Sequence, residues 1–464
     1  MKTAHRRLAR ASCSDLACLL ENRRVLQAFG EPGAKRRRRL WPLLITVCVF
    51  LRQVLNPGQP CREAVRSSNV TRLARGKAVA SDNTSAYCQA RSKIPEARIQ
   101  TAWKGLALEM EQKEPATARW KNRRVGVVDG SGLSMPDTAA NQKDYPQPAG
   151  QKRGCGFPLM KFVGLFSLAT GALHAIARGN KHVAERSLFH TVWESLREGF
   201  DLLLGDRGFC SLCDMYLLKR QGVDTIFRNH QARQMNWKQG KRLGRYDRLV
   251  VWKKPRKRPT WIEPDDYETL PAEWTVRVLR FQIPVKGFRT RSVTVATTLL
   301  NPVEFPAADI AELYGLRWSV ELHFRDIKTT LAMDILRCLS PDLIHREFQM
   351  HWLAYNLIRS LMQEAALLHN APLERLSFKG TLDTLRQWTP HLFAAESHPT
   401  LRTKLLRQFF RVIAHDLVPL RPHRSEPRAV KRRPKKFHLL NKPRHLMGNL
   451  PHINRRARKS KQPA

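Results

Sequence analysis

The residues best suited to chemistry lie between Tyr314 and Lys328, in the stretch YGLRWSVELHFRDIK. The stretch contains no proline, and its apolar spacing predicts a single helix. At about 100° per residue, the side chains of Tyr314, Arg317, Glu321 and Lys328 fall on one stripe of that helix. A lone carboxylate flanked by cations suits a metal ion held beside a phosphate backbone. A salt-bridged surface face has the same pattern, and the helix alone favours that simpler interpretation.

A second stripe of the same predicted helix is apolar and indicates which side faces a core. Its residues recur three or four positions apart, which is the spacing of one buried helix face. They are Leu313, Leu316, Val320, Phe324, Ile327 and Leu331. Trp318 is interpreted as a further core aromatic. The apolar stripe would anchor the helix and hold the polar stripe in a defined orientation.

Two further carboxylates follow predicted buried strands. The β-branched run at residues 125–128 leads into Asp129, and the leucines at 202–204 precede Gly205 and Asp206. In α/β sheets, active-site acids often stand at the carboxyl ends of strands. An aspartate that merely closes a strand through an Asx turn is the alternative at Asp129.

Together, the three acids could bind metal ions. Asp129 and Asp206 on neighbouring strand ends, with Glu321 on a later helix, could bracket two divalent cations about 4 Å apart. Ligand sets made only of oxygen favour Mg²⁺ or Mn²⁺. Such a pair of ions cuts and joins phosphodiester bonds.

The net charge identifies the class of partner. The chain of 464 residues has 82 Lys and Arg against 39 Asp and Glu, a formal charge of +43. An excess of this size indicates a polyanion, and nucleic acid is the first candidate. A basic protein that only packs RNA is the simplest alternative.

Membrane and secretory classes are disfavoured. The longest apolar run, residues 40–51, is too short to span a bilayer, and the amino terminus lacks a secretory signal pattern. The nine cysteines are scattered, and the single CxxC, Cys210 with Cys213, has no second ligand pair nearby. We interpret these cysteines as structural thiols in a reducing cytoplasm.

These motifs resemble a known family. Asp129 in VVDGS, Asp206 in GDRGF, and the Y-x2-R-x3-E-x6-K spacing that begins at Tyr314 closely resemble the DDE transposases of bacterial insertion sequences, in the IS-four group. Each motif is short, but their order within a basic chain is specific. The resemblance covers roughly residues 123–359.

The resemblance implies a fold, a chemistry and partners. It implies an α/β fold with a ribonuclease-H-like core, and Asp129, Asp206 and Glu321 as catalytic ligands of two Mg²⁺ or Mn²⁺ ions. Tyr314, Arg317 and Lys328 would contact the phosphates and bases of the element's terminal DNA. The partners would be transposon ends and target DNA, bound by a homodimer in the synaptic complex. The protein would be bacterial, cytoplasmic and DNA-associated.

The chain order predicts further elements and domains. Short helices are predicted at 15–27 and 41–54, a β-hairpin at 157–179, helices at 181–198, 210–220 and 347–369, and a strand at 223–228. Pro390–Pro399 is predicted to break a later helical stretch.

The predicted domains are a helical, basic DNA-binding domain at 1–120, the core at 121–228 and 292–370, an inserted β-rich domain at 229–291, a helical region at 371–420 and a basic, disordered tail at 421–464.

Two other functions remain open at this point. A related metal-dependent nuclease or resolvase would cut DNA without joining it, and a catalytically inactive derivative would only bind DNA. Family members that form DNA hairpins place a stacking Trp in the strand before the motif helix. Residues 291–300 contain none, so the hairpin route is also open.

Overall fold

The computed structural model describes residues 27–29, 40–79, 81–282, 292–420 and 440–447. Two predicted features fall largely outside these ranges: the helix at 15–27 and the disordered tail at 421–464. The other elements can be compared with the structure directly.

One twisted sheet runs through the described residues and contains nine strands. Its order is β3-β2-β1-β4-β5-β9-β8-β7-β6. The strands are β1 (Val125–Ser134), β2 (Leu159–Ser167), β3 (Leu173–Gly179), β4 (Leu202–Gly205), β5 (Asp224–Arg228), β6 (Lys241–Gly244), β7 (Asp247–Lys253), β8 (Glu273–Gln282) and β9 (Ser292–Thr297). β1, β2 and β3 are antiparallel neighbours, whereas β4 and β5 run parallel to β1. The mixed α/β class predicted from the sequence is confirmed.

The hairpin predicted at 157–179 is confirmed as β2 and β3. Gly171 in its turn has a φ of +69°, a conformation that glycine adopts without the strain of a Cβ. A Cβ at this position would also lie 2.6 Å from the Arg359 guanidinium. The turn therefore needs a glycine for both its backbone and its surroundings.

The strands of the predicted β-rich insertion continue the same sheet. β5 pairs antiparallel with β9, β9 pairs with β8, and β7 and β6 follow at the edge. The predicted strand content of this segment is therefore present. Backbone hydrogen bonds join it to β9, which pairs with β5, the neighbour of the strand that leads to Asp206. The boundaries assigned to the domains stay predictions.

Helices cover both faces of the sheet. They are α1 (Leu43–Leu55), α2 (Cys61–Leu73), α3 (Ser85–Ser92), α4 (Glu96–Gln112), α5 (Ala139–Asp144), α6 (Glu185–Thr191), α7 (Trp193–Gly199), α8 (Leu212–Arg220), α9 (Pro264–Glu268), α10 (Ala307–Leu316), α11 (Ser319–Arg325), α12 (Pro341–His369), α13 (Phe378–Ala394) and α14 (Pro399–His415). None of the described helices is long and apolar enough to cross a membrane.

Side-chain alternation along the strands divides the interior into two cores. Val127 and Leu204 face a core shared with α1 and with α10–α14, whereas Val128 and Leu203 face a core built with α6–α8. The 29-residue α12 confirms the helix predicted at 347–369, and it begins six residues earlier. Its predicted core residues Trp352, Tyr355, Leu357 and Ile358 are all buried.

One predicted helix is wrong in its limits, and one predicted helix break is confirmed. The helix predicted at 181–198 begins only at Glu185 and is divided at Val192, where ψ is 0°. The break predicted at Pro390–Pro399 is confirmed, because α13 ends at Ala394 and α14 begins at Pro399. Pro390 itself lies inside α13, so the interruption follows it by four residues.

Asn356 on α12 is hydrogen-bonded to both β3 and α4, and its replacement should lower the free energy of unfolding. Its buried side chain accepts a hydrogen bond from Leu173 N and donates to the carbonyls of Leu173 and Trp103. Asn356→Ala leaves these backbone groups unpaired, and we expect a loss of about 2–4 kcal/mol in the free energy of unfolding. Urea denaturation measures this loss.

Ser360→Ala, one turn further along α12, is the matched control. The Ser360 hydroxyl donates only to a carbonyl of its own helix, and we expect a change below about 1 kcal/mol. Equal losses in the two variants would contradict a bridging role for Asn356.

Candidate active site

The sheet register places Asp129 beside Asp206. β1 and β4 pair in parallel up to Val128 and Gly205, and the two aspartates are the next residues on their chains. Neighbouring strands lie about 4.8 Å apart, so the carboxylates share one edge of the β1–β4 pair. Asp206 ends its strand as predicted. Asp129 does not, because β1 continues to Ser134 through antiparallel pairing with β2.

The motif stretch is not the single helix that its spacing predicts. α10 ends at Leu316, α11 begins at Ser319, and a π-helical turn at Asp326–Thr330 follows. Between α10 and α11, the amides of Arg317 and Val320 bond carbonyls only three residues earlier. This tighter hydrogen bonding turns the chain and rotates the residues on either side relative to a continuous helix.

The apolar stripe is confirmed except at one position. Leu313, Val320, Phe324, Ile327 and Leu331 are buried in the core shared with α12. Leu316 is 53% exposed, so its predicted burial is wrong. The break after Leu316 explains the difference. Trp318 packs partly buried against the same core, as interpreted from the sequence.

Tyr314 on α10 is hydrogen-bonded to the last residue of β4. Its side chain is 1% exposed, and its hydroxyl donates to the carbonyl of Gly205 at 3.3 Å. Burial raises the pKa of this phenol, so it stays a neutral donor. The contact fixes the residue that immediately precedes Asp206. A contact between Tyr314 and DNA stays a prediction.

Arg317 lies between two of the predicted metal ligands. Its guanidinium is buried, with Nη1 3.7 Å from Asp129 Oδ2 and Nη2 3.8 Å from Glu321 Oε1. Its Nε is buried without a hydrogen-bond partner among the described residues. The Glu321 side chain is 62% exposed. The cation of Arg317 thus bridges the carboxylates of β1 and α11.

Lys328 reaches back to β1 from the π-helical turn. Its Nζ donates to Ser131 Oγ and to the carbonyl of Gly132, each at 2.9 Å. These bonds lie two and three residues beyond Asp129 on the same strand. Lys328 therefore holds the helical segment against the strand that carries the first acid.

The three predicted acids do not converge on one point in this conformation. Within the described ranges, no three His, Cys, Asp or Glu side chains are grouped closely enough to hold a metal ion. Asp129 and Asp206 are adjacent, whereas Glu321 is connected to Asp129 through Arg317. The metal-ligand role of these residues stays a prediction.

The local field is unfavourable to negative charge at Asp129. Burial raises the pKa of its carboxyl to about 6, even though the Gly130 amide and Arg317 stabilise the anion. The charges of Asp206 and Glu185 raise this pKa further. Asp206 Oδ1 is itself buried without a hydrogen-bond partner in the described part of the chain. Arg317 at 3.7 Å from Asp129 and Arg228 at 3.9 Å from Asp206 neutralise these carboxylates only in part, and a divalent cation would complete their neutralisation.

The sequence pattern gave no indication of Glu185. It is the first residue of α6, soon after β3, and no short motif surrounds it. Tertiary structure alone brings it next to Asp129 and Asp206.

Asp129→Asn should stabilise the metal-free protein at neutral and basic pH. The folded-state pKa of about 6 lies above the ordinary value of 3.8. Ionisation of Asp129 therefore costs stability as the pH rises through this interval, and costs none below it. We expect the variant to gain roughly 1–3 kcal/mol at pH 8 and nothing at pH 4.

Calorimetry in the presence of a chelator measures this gain. The exposed Asp266 on α9 provides the control, since Asp266→Asn should change the melting temperature at neither pH. An equal shift for Asp129→Asn at both pH values would contradict the assigned pKa.

This chain is similar to several known proteins. Residues 120–357 match the family model described as "Transposase DDE domain". The chain is 25% identical over 430 residues to "Transposase InsG for insertion sequence element IS4" from Escherichia coli (strain K12), covering 91% of this chain and 93% of that one. A solved cryo-EM structure, a piggyBac transposase synaptic complex with hairpin DNA, aligns with a TM-score of 0.44 at 9% identity, covering 89% of this chain and 87% of that one. The family match contains all six residues predicted for the site.

Proposed function

Because the chain belongs to the family of transposases with a DDE domain, we propose that it binds the terminal repeats of its insertion sequence and catalyses the cleavage and strand transfer of DNA. The observation that carries this proposal is the register of β1 and β4. It brings Asp129 and Asp206 together within the segment that matches the family. The net charge of +43 supports a DNA partner.

We propose that β1–β5 form a ribonuclease-H-like core. Three antiparallel strands followed by two parallel strands, in the order β3-β2-β1-β4-β5, support this assignment. The helical residues before 120 would read the element's ends, and β6–β8 would extend the DNA-binding surface. A homodimer follows from the need to hold two ends together, and the bacterial cytoplasm is the proposed compartment.

The donor set fits Mg²⁺ or Mn²⁺. Asp129, Asp206 and Glu321 offer only carboxylate oxygens, and Asp206 Oδ1 has no hydrogen-bond partner within the described ranges. We propose that these three residues hold two ions. When bound, the ions would activate the attacking oxygen and stabilise the leaving oxygen of the phosphodiester.

The neighbouring side chains have distinct proposed roles. Tyr314 positions Asp206 through its bond to Gly205, and it would contact DNA only if the phenol left its buried place. Arg317 neutralises Asp129 and Glu321 before the cations enter, and is then available to a DNA phosphate. Lys328 anchors β1 through Ser131, two residues beyond Asp129, and would bind a neighbouring DNA phosphate.

A plasmid that carries the element's two ends tests this function. With purified protein and Mg²⁺, we expect excision of the element and its joining to new DNA. Cutting without joining would instead identify a nuclease or resolvase. Binding of the ends without any cutting would identify an inactive derivative.

A further inference from the structure

The carboxylate of Glu185 lies directly against β1 beside Asp129. A Cβ built on Gly130 would stand 1.8 Å from Glu185 Oε1 and 2.9 Å from its Cδ. Gly130 lies within a regular strand and has no positive φ, so its backbone alone does not require glycine. The position is instead open because the Glu185 carboxylate occupies the space that a side chain would fill.

The Glu185 carboxylate approaches β1 from the face of the sheet that is covered by α6–α8. Successive residues of a strand point to opposite faces, so Gly130 faces the core built with α6–α8 while Asp129 faces α10 and α11. Glu185 therefore reaches the same strand segment from the side opposite Arg317. A cation at the β1–β4 edge would be approached by acids from both faces.

Glu185 has no neutralising partner among the described residues. No ion pair or hydrogen bond is formed by its carboxylate in those ranges. Lys161 exerts the one stabilising charge on it, but the Lys161 amine donates to the carbonyl of Lys181. Burial raises the pKa of Glu185, and the charge of Asp206 raises it further. The Glu185 carboxylate is thus close enough to Asp129 and Asp206 for their charges to interact, and it forms no ion pair in the described ranges.

We propose that Glu185 is a fourth carboxylate of the metal site, which binds a divalent cation together with Asp129 and Asp206. This inference depends on the proposed function, since the cation is the one that the transposase chemistry uses. Glu185 supplies an oxygen ligand from α6, on the face opposite Glu321. Favourable interaction with the amino-terminal end of α6 is the simpler role for Glu185. Glu194, in the first turn of α7, provides a direct comparison for that role.

Manganese binding distinguishes the two roles. Mn²⁺ would be titrated into the full-length protein at pH 7.5, with the free ion followed by electron paramagnetic resonance. We expect Glu185→Gln to weaken binding by about tenfold or more, because loss of a group that tunes a metal site typically costs 10–100-fold in affinity. Glu194→Gln removes a comparable helix-terminal charge and should change the affinity by less than about twofold. Equal affinities for the two variants would overturn the proposal.

Asp129→Asn separates this inference from the proposed function. If Asp129→Asn binds Mn²⁺ as the unmodified protein does, the metal site itself is wrongly placed. If Asp129→Asn loses binding while Glu185→Gln retains it, only the role of Glu185 is refuted. Circular dichroism and melting temperatures establish that each variant is folded.

The metal dependence of DNA cleavage gives a second measurement. In Glu185→Gln, we expect the Mn²⁺ concentration for half-maximal cleavage to rise by about tenfold, with cleavage recovered at saturating metal. Glu194→Gln should show the unmodified dependence. An unchanged half-maximal concentration in Glu185→Gln would also overturn the proposal.

Discussion

Replacement of Asp129, Asp206 or Glu321 by the corresponding amide should abolish Mg²⁺-dependent cleavage of the element's ends. An amide preserves the shape of the side chain but cannot provide an anionic oxygen to the metal. We expect the cleavage rate to fall on the order of 10³-fold or more in each single variant. Labelled oligonucleotides that contain one element end would report the cut strand.

Binding of the same oligonucleotides should survive these substitutions. Each amide removes one negative charge from a surface that meets DNA phosphates, so affinity should stay equal or increase slightly at low salt. Gel-shift titrations measure the affinity, and Asp266→Asn controls for a change of charge elsewhere. Cleavage at the unmodified rate in any of the three amide variants would remove that residue from the catalytic site.

Arg277→Met should destabilise the protein strongly through a buried ion pair. The Arg277 side chain is fully buried on β8, and its Nε and Nη2 donate to the two oxygens of Asp247 on β7 at 2.9 and 2.6 Å. Its Nη1 also donates to the carbonyl of Phe305, just before α10. The variant leaves the Asp247 carboxylate buried without a cation, which typically costs about 3–5 kcal/mol.

The double variant Asp247→Leu with Arg277→Met tests that explanation. Replacing a buried pair with apolar side chains removes the unpaired charge, although the Phe305 carbonyl stays without its donor. We expect the double variant to recover at least half of the stability that Arg277→Met loses in urea denaturation. A double variant as unstable as the single variant would show that the packing of Arg277, and not its charge, is what matters.

This ion pair also connects the extended sheet to the active site. Phe305 leads into α10, the helix that carries Tyr314. A loosened β7–β8 pair would therefore disturb the support of Gly205 and Asp206. We expect Arg277→Met to lower the cleavage rate at temperatures where the protein is still largely folded.

The local sequence was sufficient to find Asp206, the strands and most of the buried helix face. Leu202–Gly205 is a short apolar segment, and burial of such a segment in a sheet determines where it ends and where the next carboxylate lies. The apolar residues of α11 recur at helical spacing because one face of the helix must leave water. The order of Asp129, Asp206 and the Tyr314–Lys328 motif was likewise enough to indicate the family that residues 120–357 match.

Interactions between distant segments decided the remaining features. Helical spacing could not reveal the turn after Leu316, because the packing of Arg317 against Asp129 competes there with a continuous helix. The continuation of β1 beyond Asp129 depends on its partner β2, and the joining of β5 to β9 depends on residues far apart in sequence. Glu185 is next to Gly130 only because β3 returns the chain to this end of the sheet. Sequence spacing thus determined which residues could do the chemistry. The sheet register and the burial of charge decided which of them meet, because both depend on contacts that form only in the folded chain.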